Sequence, residues 1–219
     1  MARIRTLTDS ITQSNCYIIE EHRKAVVIDP NQEKELLHFL KKQRWQVEQI
    51  FLTHEHCDHT KGLNLLREVY GAPVIAQEDC SRGIQNSVSN MSRIMGTYLY
   101  FKNGGREMSV YEPFVCDPAD ETFGKERFWS FEGHELHAMS LPGHTPGSSC
   151  LILDKTMLFS GDYLLPGEET VTRLPGGSEE DYEKKAKQSL KKLPLGMLVY
   201  PGHGASFVLN DEVMRDHGL

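Results

Sequence analysis

Apolar and polar residues alternate along the chain in a pattern that predicts strands interrupted by helices. Residues 11–21, 24–30, 47–53 and 73–77 are rich in β-branched and aromatic residues, as strands are. Between them, leucines recur at helical spacing, with Asn31 as an N-cap for one helix and Gly71 as the end of the next. The first half of the chain therefore predicts a mixed α/β arrangement.

The second half continues this pattern. Four more strands are predicted at 135–141, 148–154, 156–161 and 197–200. Residues 178–193 form an amphipathic pattern with Glu–Lys pairs four residues apart, which favours an exposed helix. Because no repeat or low-complexity linker divides the pattern, we expect a single domain over residues 1–219.

Residues 79–130 interrupt this regularity. Ile84, Val88, Met91 and Met95 recur at helical spacing, and such a stripe fits either core packing or a wall that contacts a substrate. Beyond residue 102, glycines and prolines break the pattern, and no firm element is predicted there. We expect residues 79–130 to be a less regular insertion near the active site.

Composition narrows the class of protein. The chain has 219 residues, of which 39% are hydrophobic and 25% charged, as in globular proteins, and no apolar run is long enough to span a membrane. The net charge of −7 argues against nucleic acid as a partner. The N-terminus lacks the apolar core of a signal peptide, and the five cysteines are an odd number without paired spacing. We expect a cytoplasmic protein with reduced thiols and a small-molecule substrate, and the sequence leaves its oligomeric state open.

The block "HEHCDH" follows a predicted strand and crowds polar side chains at one place. His54 and His56 lie two residues apart, so their side chains project to the same side, and Asp58 and His59 follow as the chain turns. Three later turns each offer one more candidate ligand directly after a strand: His144 in "PGHTPGS", Asp162 in "SGDYL" and His203 in "YPGHG". Five imidazoles and two carboxylates suit zinc, iron or manganese.

These motifs, in this order, resemble the metallo-β-lactamase superfamily. The resemblance implies an αββα sandwich, in which two mixed sheets lie face to face with helices outside, and a site for two metal ions at one edge. It also implies which residues hold the ions, most simply two Zn²⁺, with iron or manganese as alternatives. The first metal would be held by His54, His56 and His144, the second by Asp58, His59 and His203, and Asp162 would bridge the two.

The resemblance further implies a metal-dependent hydrolase. Two divalent cations would deprotonate a shared water near neutral pH, and Asp58 would orient the resulting hydroxide toward a carbonyl carbon. Within the superfamily, the combination of Asp58 and Asp162 is most similar to the glyoxalase II group, which hydrolyses acyl thioesters. No general acid is apparent in the sequence, which favours a thiolate leaving group. Because only sixteen residues follow His203, we expect weak preference for glutathione as the thiol.

Two other functions fit similar ligands. One is a persulfide dioxygenase with a single iron, and the other is a non-catalytic di-iron protein that senses oxygen or nitric oxide. Arg173, in a loop after Asp162, could clamp a substrate carboxylate, although a salt bridge that orders the loop fits equally well. Cys57 is expected to fill space between the ligands, and His134 and His137 are expected to be structural.

Overall fold

A computed structural model describes residues 2–102, 104–105 and 111–219 of the chain. Its first sheet has six strands in chain order: β1 (Arg3–Thr8), β2 (Asn15–Glu21), β3 (Lys24–Ile28), β4 (Gln46–Phe51), β5 (Val74–Gln77) and β6 (Glu121–Phe123). Strands β1 to β3 are antiparallel to one another, whereas β3 to β6 are parallel. The sheet is therefore mixed, as expected.

The second sheet also has six strands in chain order: β7 (Glu126–Phe131), β8 (His134–Ser140), β9 (Ser149–Leu153), β10 (Met157–Gly161), β11 (Leu198–Pro201) and β12 (Phe207–Val208). Neighbouring strands are antiparallel except β10 and β11, which are parallel. A parallel pair needs a crossover connection, and the helical residues between β10 and β11 supply it.

The helices connect the strands. Five lie between strands of the first sheet: α1 (Lys34–Gln43), α2 (Cys57–Thr60), α3 (Leu63–Tyr70), α4 (Glu78–Gly83) and α5 (Met95–Lys102). The crossover in the second sheet is one continuous run of α6 (Glu179–Asp181), a π-helical turn (Tyr182–Ala186) and α7 (Lys187–Leu190), and α8 (Asp211–Asp216) follows β12.

Three apolar clusters show the order of the layers. The cluster between the sheets takes residues from both, among them Ile19, Val26 and Phe51 of the first and Leu151 and Phe159 of the second. Alternate residues of the first sheet face a second cluster with leucines of α1 and α3, and the second sheet faces a third cluster with residues of the 179–190 run. Helices therefore cover both outer faces, and the αββα sandwich is confirmed.

Both faces of the central strands are buried, which explains their sequence. In β3, residues Ala25–Ile28 are apolar and fully buried, with successive side chains facing the helices and the opposite sheet in turn. Near-continuous apolar runs are typical of strands covered on both faces. The strands predicted from such runs are those that the structure contains.

The helical spacing predicted over residues 79–100 is only partly right. Residues 84–94 form successive turns instead of a helix. The side chain of Asn86 accepts hydrogen bonds from the backbone of Val88 and Ser89, and that of Asn90 accepts one from Ser92. Such local bonds compete with helix formation.

Elements also lie where no firm element was predicted. Strands β6 and β7 fall within residues 102–130, and β1, β12 and α8 were likewise not foreseen. Residues 103 and 106–110 of the expected insertion lie outside the described residues, and the single-domain boundary remains a prediction. Within the described part of the chain, no helix is long and apolar enough to cross a membrane.

His134 connects the two sheets through charged side chains. Its ring bonds Asp154, in the turn between β9 and β10, and Glu21, at the end of β2. The bond to Asp154 raises the pKa of His134 above its usual value. Partial burial opposes this shift, and the bond to Glu21 adds to it. The folded protein therefore favours the charged imidazole.

The raised pKa of His134 predicts how stability depends on pH. A raised folded pKa stabilises the folded protein below the unfolded pKa of about 6.5, and this contribution is lost as the pH rises through the folded value. We expect His134→Gln to lower the free energy of unfolding more at about pH 6 than at about pH 9. Urea unfolding of the unmodified protein and of His134→Gln at both pH values measures this difference. Titrating groups that the two proteins share contribute equally and cancel. An equal loss at both values would contradict the prediction.

Candidate metal centre

The block 54–59 lies directly after β4, at one edge of the first sheet. His54 and His56 belong to the loop that follows the strand, and Asp58 and His59 lie in the short helix α2. The three histidines and Asp58 are all at most 9% exposed. Four polar side chains therefore lie in the loop that connects the strand to helix α2 and at the start of that helix.

The other three predicted residues lie in turns of the second sheet. His144 lies between β8 and β9, Asp162 follows β10, and His203 follows β11. The glycines beside them allow close packing. A Cβ atom on Gly202 would lie 2.2 Å from Oδ1 of Asp162, and one on Gly161 would lie 2.8 Å from Oγ1 of Thr53.

All seven predicted residues come together. His54, His56 and His144 form one group of possible metal ligands, and Asp58, His59 and His203 form another, each within 4.8 Å. Asp162 lies between them: Oδ2 is 3.5 Å from Nε2 of His144, and Oδ1 is 3.4 Å from Nε2 of His59. The structure thus brings the seven residues into two groups with a carboxylate between them, and their roles as metal ligands remain a prediction.

The spacing and bonding of these atoms fit metal ions. Ligands about 2.0–2.1 Å from a tetrahedral metal lie about 3.3–3.4 Å from one another. Nε2 of His59 is 3.4 Å from Nε2 of His203, and Nε2 of His144 is 3.1 Å from Nδ1 of His56. Among the residues that the structure describes, the buried atoms Nε2 of His54 and Oδ1 of Asp162 have no hydrogen-bond partner. Buried polar atoms without partners are costly, and a cation would satisfy them.

Hydrogen bonds behind the imidazoles fix which nitrogen faces the centre. Nδ1 of His144 lies 2.7 Å from the carbonyl oxygen of Val171, and Nδ1 of His59 lies 3.1 Å from Oδ2 of Asp29. A carbonyl or carboxylate oxygen can only accept, so each Nδ1 donates its hydrogen. When either ring is neutral, its Nε2 therefore has a free lone pair, as a metal ligand requires.

Asp29, which the sequence analysis did not assign to the site, supports both groups of ligands. Its carboxylate accepts from the backbone N–H of Thr53 at 2.7 Å and from Oγ1 of Thr53 at 2.6 Å, besides His59. The Thr53 hydroxyl is then free to accept from Nδ1 of His54, 3.0 Å away. Asp29 also groups with His54 and His59 as possible ligands, but its oxygens already accept these bonds. Its position at the end of the buried strand β3 was the available signal.

The charges in the centre differ between its two groups. Burial lowers the pKa of His54 well below its usual value and that of His56 to about 3. Burial would also lower the pKa of His59, but Asp58 and Asp162 raise it well above the usual value. Burial would raise the pKa of Asp58, but the neighbouring histidines hold it below its usual range. Ionised buried carboxylates require positive charge beside them, and metal cations supply it.

Two polar residues at the start of β2 join the ligand turns: Ser14 directly precedes the strand, and Asn15 is its first residue. Oγ of Ser14 donates to the carbonyl of Asp58 at 2.7 Å. The backbone N–H of Asn15 donates to the carbonyl of Gly202 at 2.7 Å, and its side chain donates to those of Pro201 and Gly204. The sequence analysis included both residues in a strand and did not foresee this role. They hold the turn that carries His203 against the first sheet.

Other residues singled out in the sequence lie elsewhere. Arg173 lines a separate cavity with Lys187 and Arg215 and does not border the cavity over the ligands, so its expected role as a substrate clamp remains a prediction. His137 bonds Glu126 and stacks on a phenylalanine ring. Cys57 is fully buried in an apolar cluster beside the ligands, as expected for a residue that fills space.

Comparison with known proteins agrees with this geometry. A family model described as the metallo-β-lactamase superfamily matches residues 10–203, most of the chain. The chain belongs to this superfamily, in which a histidine and aspartate cluster at the edge of the fold binds divalent metal ions.

Two similar curated proteins bear enzyme names. A probable metallo-hydrolase of Streptococcus pyogenes serotype M6 is 26% identical over 217 residues, which cover 97% of this chain and 88% of that protein. The hydroxyacylglutathione hydrolase GloC of Haemophilus influenzae is 24% identical over 204 residues, which cover 91% of this chain and 90% of that protein.

Three similar solved structures share the fold. The B3 metallo-β-lactamase BLEG-1 has a TM-score of 0.75 at 24% identity, with 96% of each chain covered. TTHA1623 in a di-iron-bound form has a TM-score of 0.72 at 25% identity, with 94% of each chain covered. ETHE1 from Myxococcus xanthus has a TM-score of 0.66 at 23% identity, with 97% of this chain and 85% of that one covered.

The contacts of Asp29 predict that it matters for metal binding without being a ligand. In Asp29→Asn, an amide nitrogen replaces one acceptor, so His54 and His59 are oriented less firmly. We expect metal affinity to fall by about 10- to 100-fold, the usual cost of losing such a partner. Competition with a chromogenic chelator measures the affinity. The control Asp117→Asn, at an exposed position, should not change it, and unchanged affinity in Asp29→Asn would overturn the assigned role.

Proposed function

We propose that the chain is a hydrolase that uses two divalent metal ions to cleave acyl thioesters. The observation that carries the proposal is the convergence of seven side chains, five of them buried, into two groups that meet at Asp162. In the proposed site, one ion would be held by His54, His56 and His144, the other would be held by Asp58, His59 and His203, and Asp162 would be shared by both. When bound, such ions lower the pKa of a water molecule and polarise an acyl carbonyl.

The residues of the chain supply orientation and charge. The carboxylate of Asp58 borders the cavity above the ligands and is held in its ionised form, so it can orient an attacking water as a hydrogen-bond acceptor. The other titratable side chains bordering this cavity, apart from the proposed ligands, are Tyr98, Lys102 and Glu168. Lys102 and Glu168 are exposed, so apart from the proposed ligands the weakly acidic phenol of Tyr98 is the one half-buried titratable group on this cavity among the described residues.

This arrangement suits a leaving group that needs no proton. A thiol has a pKa of about 8.5, so a thiolate departs without help, whereas an amide nitrogen must be protonated as the bond breaks. The similarity to the Haemophilus influenzae hydroxyacylglutathione hydrolase supports the same reaction class. The five cysteines are unpaired and buried, which supports the further proposal that the enzyme acts in the cytoplasm.

We propose zinc as the metal, because imidazole and carboxylate ligands suit it. The di-iron form of TTHA1623 favours a second candidate, a di-iron protein with the same ligands that senses oxygen or nitric oxide. A persulfide dioxygenase would need only one iron. Metal identity and number therefore separate the three functions.

The two groups of ligands predict two metal ions per chain. Elemental analysis of reconstituted protein should find about two equivalents, and Asp162→Ala should retain at most about one because both ions lose a ligand. The control Asp211→Ala, at an exposed position, should retain both. One equivalent in the unmodified protein would contradict the proposal and favour the dioxygenase, and two equivalents of iron with oxo-bridged absorption and no hydrolysis would favour the sensor.

The leaving-group chemistry predicts the choice of substrate. Acyl thioesters should be cleaved with kcat/KM at least about 100-fold above that of lactams of similar size, which corresponds to about 2.7 kcal/mol of transition-state stabilisation. Parallel assays with the same metal-loaded preparation measure the ratio, and the Asp162→Ala protein controls for contaminating hydrolases. Faster cleavage of the lactam would refute the thioesterase proposal.

A further inference from the structure

The cavity over the ligands has two chemically different walls. One wall consists of the proposed ligand side chains. The rest of the lining is mainly apolar and includes Met91, Met95, Leu99, Leu165, Val171 and Leu174, with Thr12 and Tyr98 as its uncharged polar members. Of the six apolar residues, the first three belong to the segment 84–102, and the last three to the loop after β10. Two separate parts of the chain thus turn apolar side chains toward the ligands.

The apolar wall lies directly against the loop that carries the ligands. Met91, Met95 and Leu99 are at most 4% exposed and form one cluster with Cys57, which lies between His56 and Asp58 in the sequence. A group bonded to a carbonyl carbon at the ligands is therefore within the same cavity as this wall. Burial of such a group against methionine and leucine is favourable only if the group is itself apolar.

Apart from the proposed ligands, the charged residues of the cavity lie at its mouth. Lys102 and Glu168 border the cavity and are exposed, and Lys102 lies at the end of α5, one helical turn beyond Leu99. An elongated substrate would then have its apolar part inside and its polar part between these charges. Glutathione and coenzyme A, the common thiol carriers, are polar and charged, so only the acyl part of their thioesters can be apolar.

We propose that the substrates are thioesters of short apolar acyl groups, and that Met91, Met95 and Leu99 select the acyl group. This inference rests on the proposed thioester hydrolysis and adds the acyl specificity. The side chains of Met91, Met95 and Leu99 offer no strong hydrogen-bond partner to a 2-hydroxyl group placed against them. A hydroxyacyl group would lose its bonds to water without replacement, which raises its barrier relative to an apolar group.

A matched pair of substrates tests this specificity. The 2-methylpropanoyl and 2-hydroxypropanoyl thioesters of one thiol differ only by the exchange of a methyl for a hydroxyl group. We expect kcat/KM to be about 10- to 100-fold higher for the 2-methylpropanoyl ester, the usual discrimination of an apolar pocket against such a hydroxyl. Inhibition by the free acids, 2-methylpropanoate and 2-hydroxypropanoate, gives the same comparison without turnover.

Variants of Met95 locate the selectivity. Met95→Gln keeps the length of the side chain and adds polar atoms, and it should reduce the ratio between the two esters by about tenfold. Met95→Leu keeps the wall apolar and should retain the ratio. Phe101→Gln, on the same helix but 72% exposed and outside the cavity, is the matched control and should also retain it. Thermal unfolding and metal content verify that each variant is folded and loaded.

The outcomes distinguish this inference from the function on which it rests. Equal or faster cleavage of the 2-hydroxypropanoyl ester, or a ratio unchanged in Met95→Gln, would overturn the acyl specificity and leave the thioesterase proposal standing. If apolar thiols raised kcat/KM and Met95→Gln abolished this increase, the wall would bind the thiol and not the acyl group, which would overturn the acyl specificity. Failure to cleave any thioester would overturn both proposals.

Discussion

The arrangement of the site depends on the buried carboxylate of Asp29. It accepts hydrogen bonds from the backbone and hydroxyl of Thr53 and from His59, and through Thr53 it also sets the orientation of His54. One side chain at the end of β3 thus reaches both groups of possible metal ligands. Its own φ of 51° is in the left-handed region, where aspartate is among the more tolerant residues, so the backbone is held in an uncommon conformation at this position.

The two sheets are held together at the edge where the ligands meet. The first sheet supplies four of the seven side chains and the second supplies three, so the site exists only while the sheets keep their relative position. Ser14 and Asn15 bond the turns of both, and Gly202 packs so closely on Asp162 that a Cβ atom there would collide with the carboxylate. Burial of these charged groups is tolerable because several have fixed hydrogen-bond partners and the centre suits cations.

At the same edge, one cavity contains both the proposed metal ligands and the apolar side chains that we propose select the substrate. The cavity has ionisable side chains on one wall and methionine and leucine side chains on the other, and its exposed charges lie at the mouth. An apolar wall excludes water, which strengthens the electrostatic effect of the opposite wall on a substrate carbonyl. Because Cys57 lies within the ligand block and also packs against Met91 and Met95, the two walls are joined by direct contact.

The candidate ligands and the strands could be predicted from the residues alone, whereas the layers were implied by the resemblance to a known superfamily. The seven residues could be identified because metal binding demands particular side chains at strand ends, and the strands because burial on both faces demands apolar runs. Three features could be seen only in the folded chain. They are the role of Asp29, the separate cavity that Arg173 lines, and the position of Met91 and Met95 in the cavity over the ligands. In residues 84–94, asparagine side chains replaced the expected helix with turns. The physical reason is that residue types and local periodicity are properties of short segments, whereas these contacts depend on how distant segments pack.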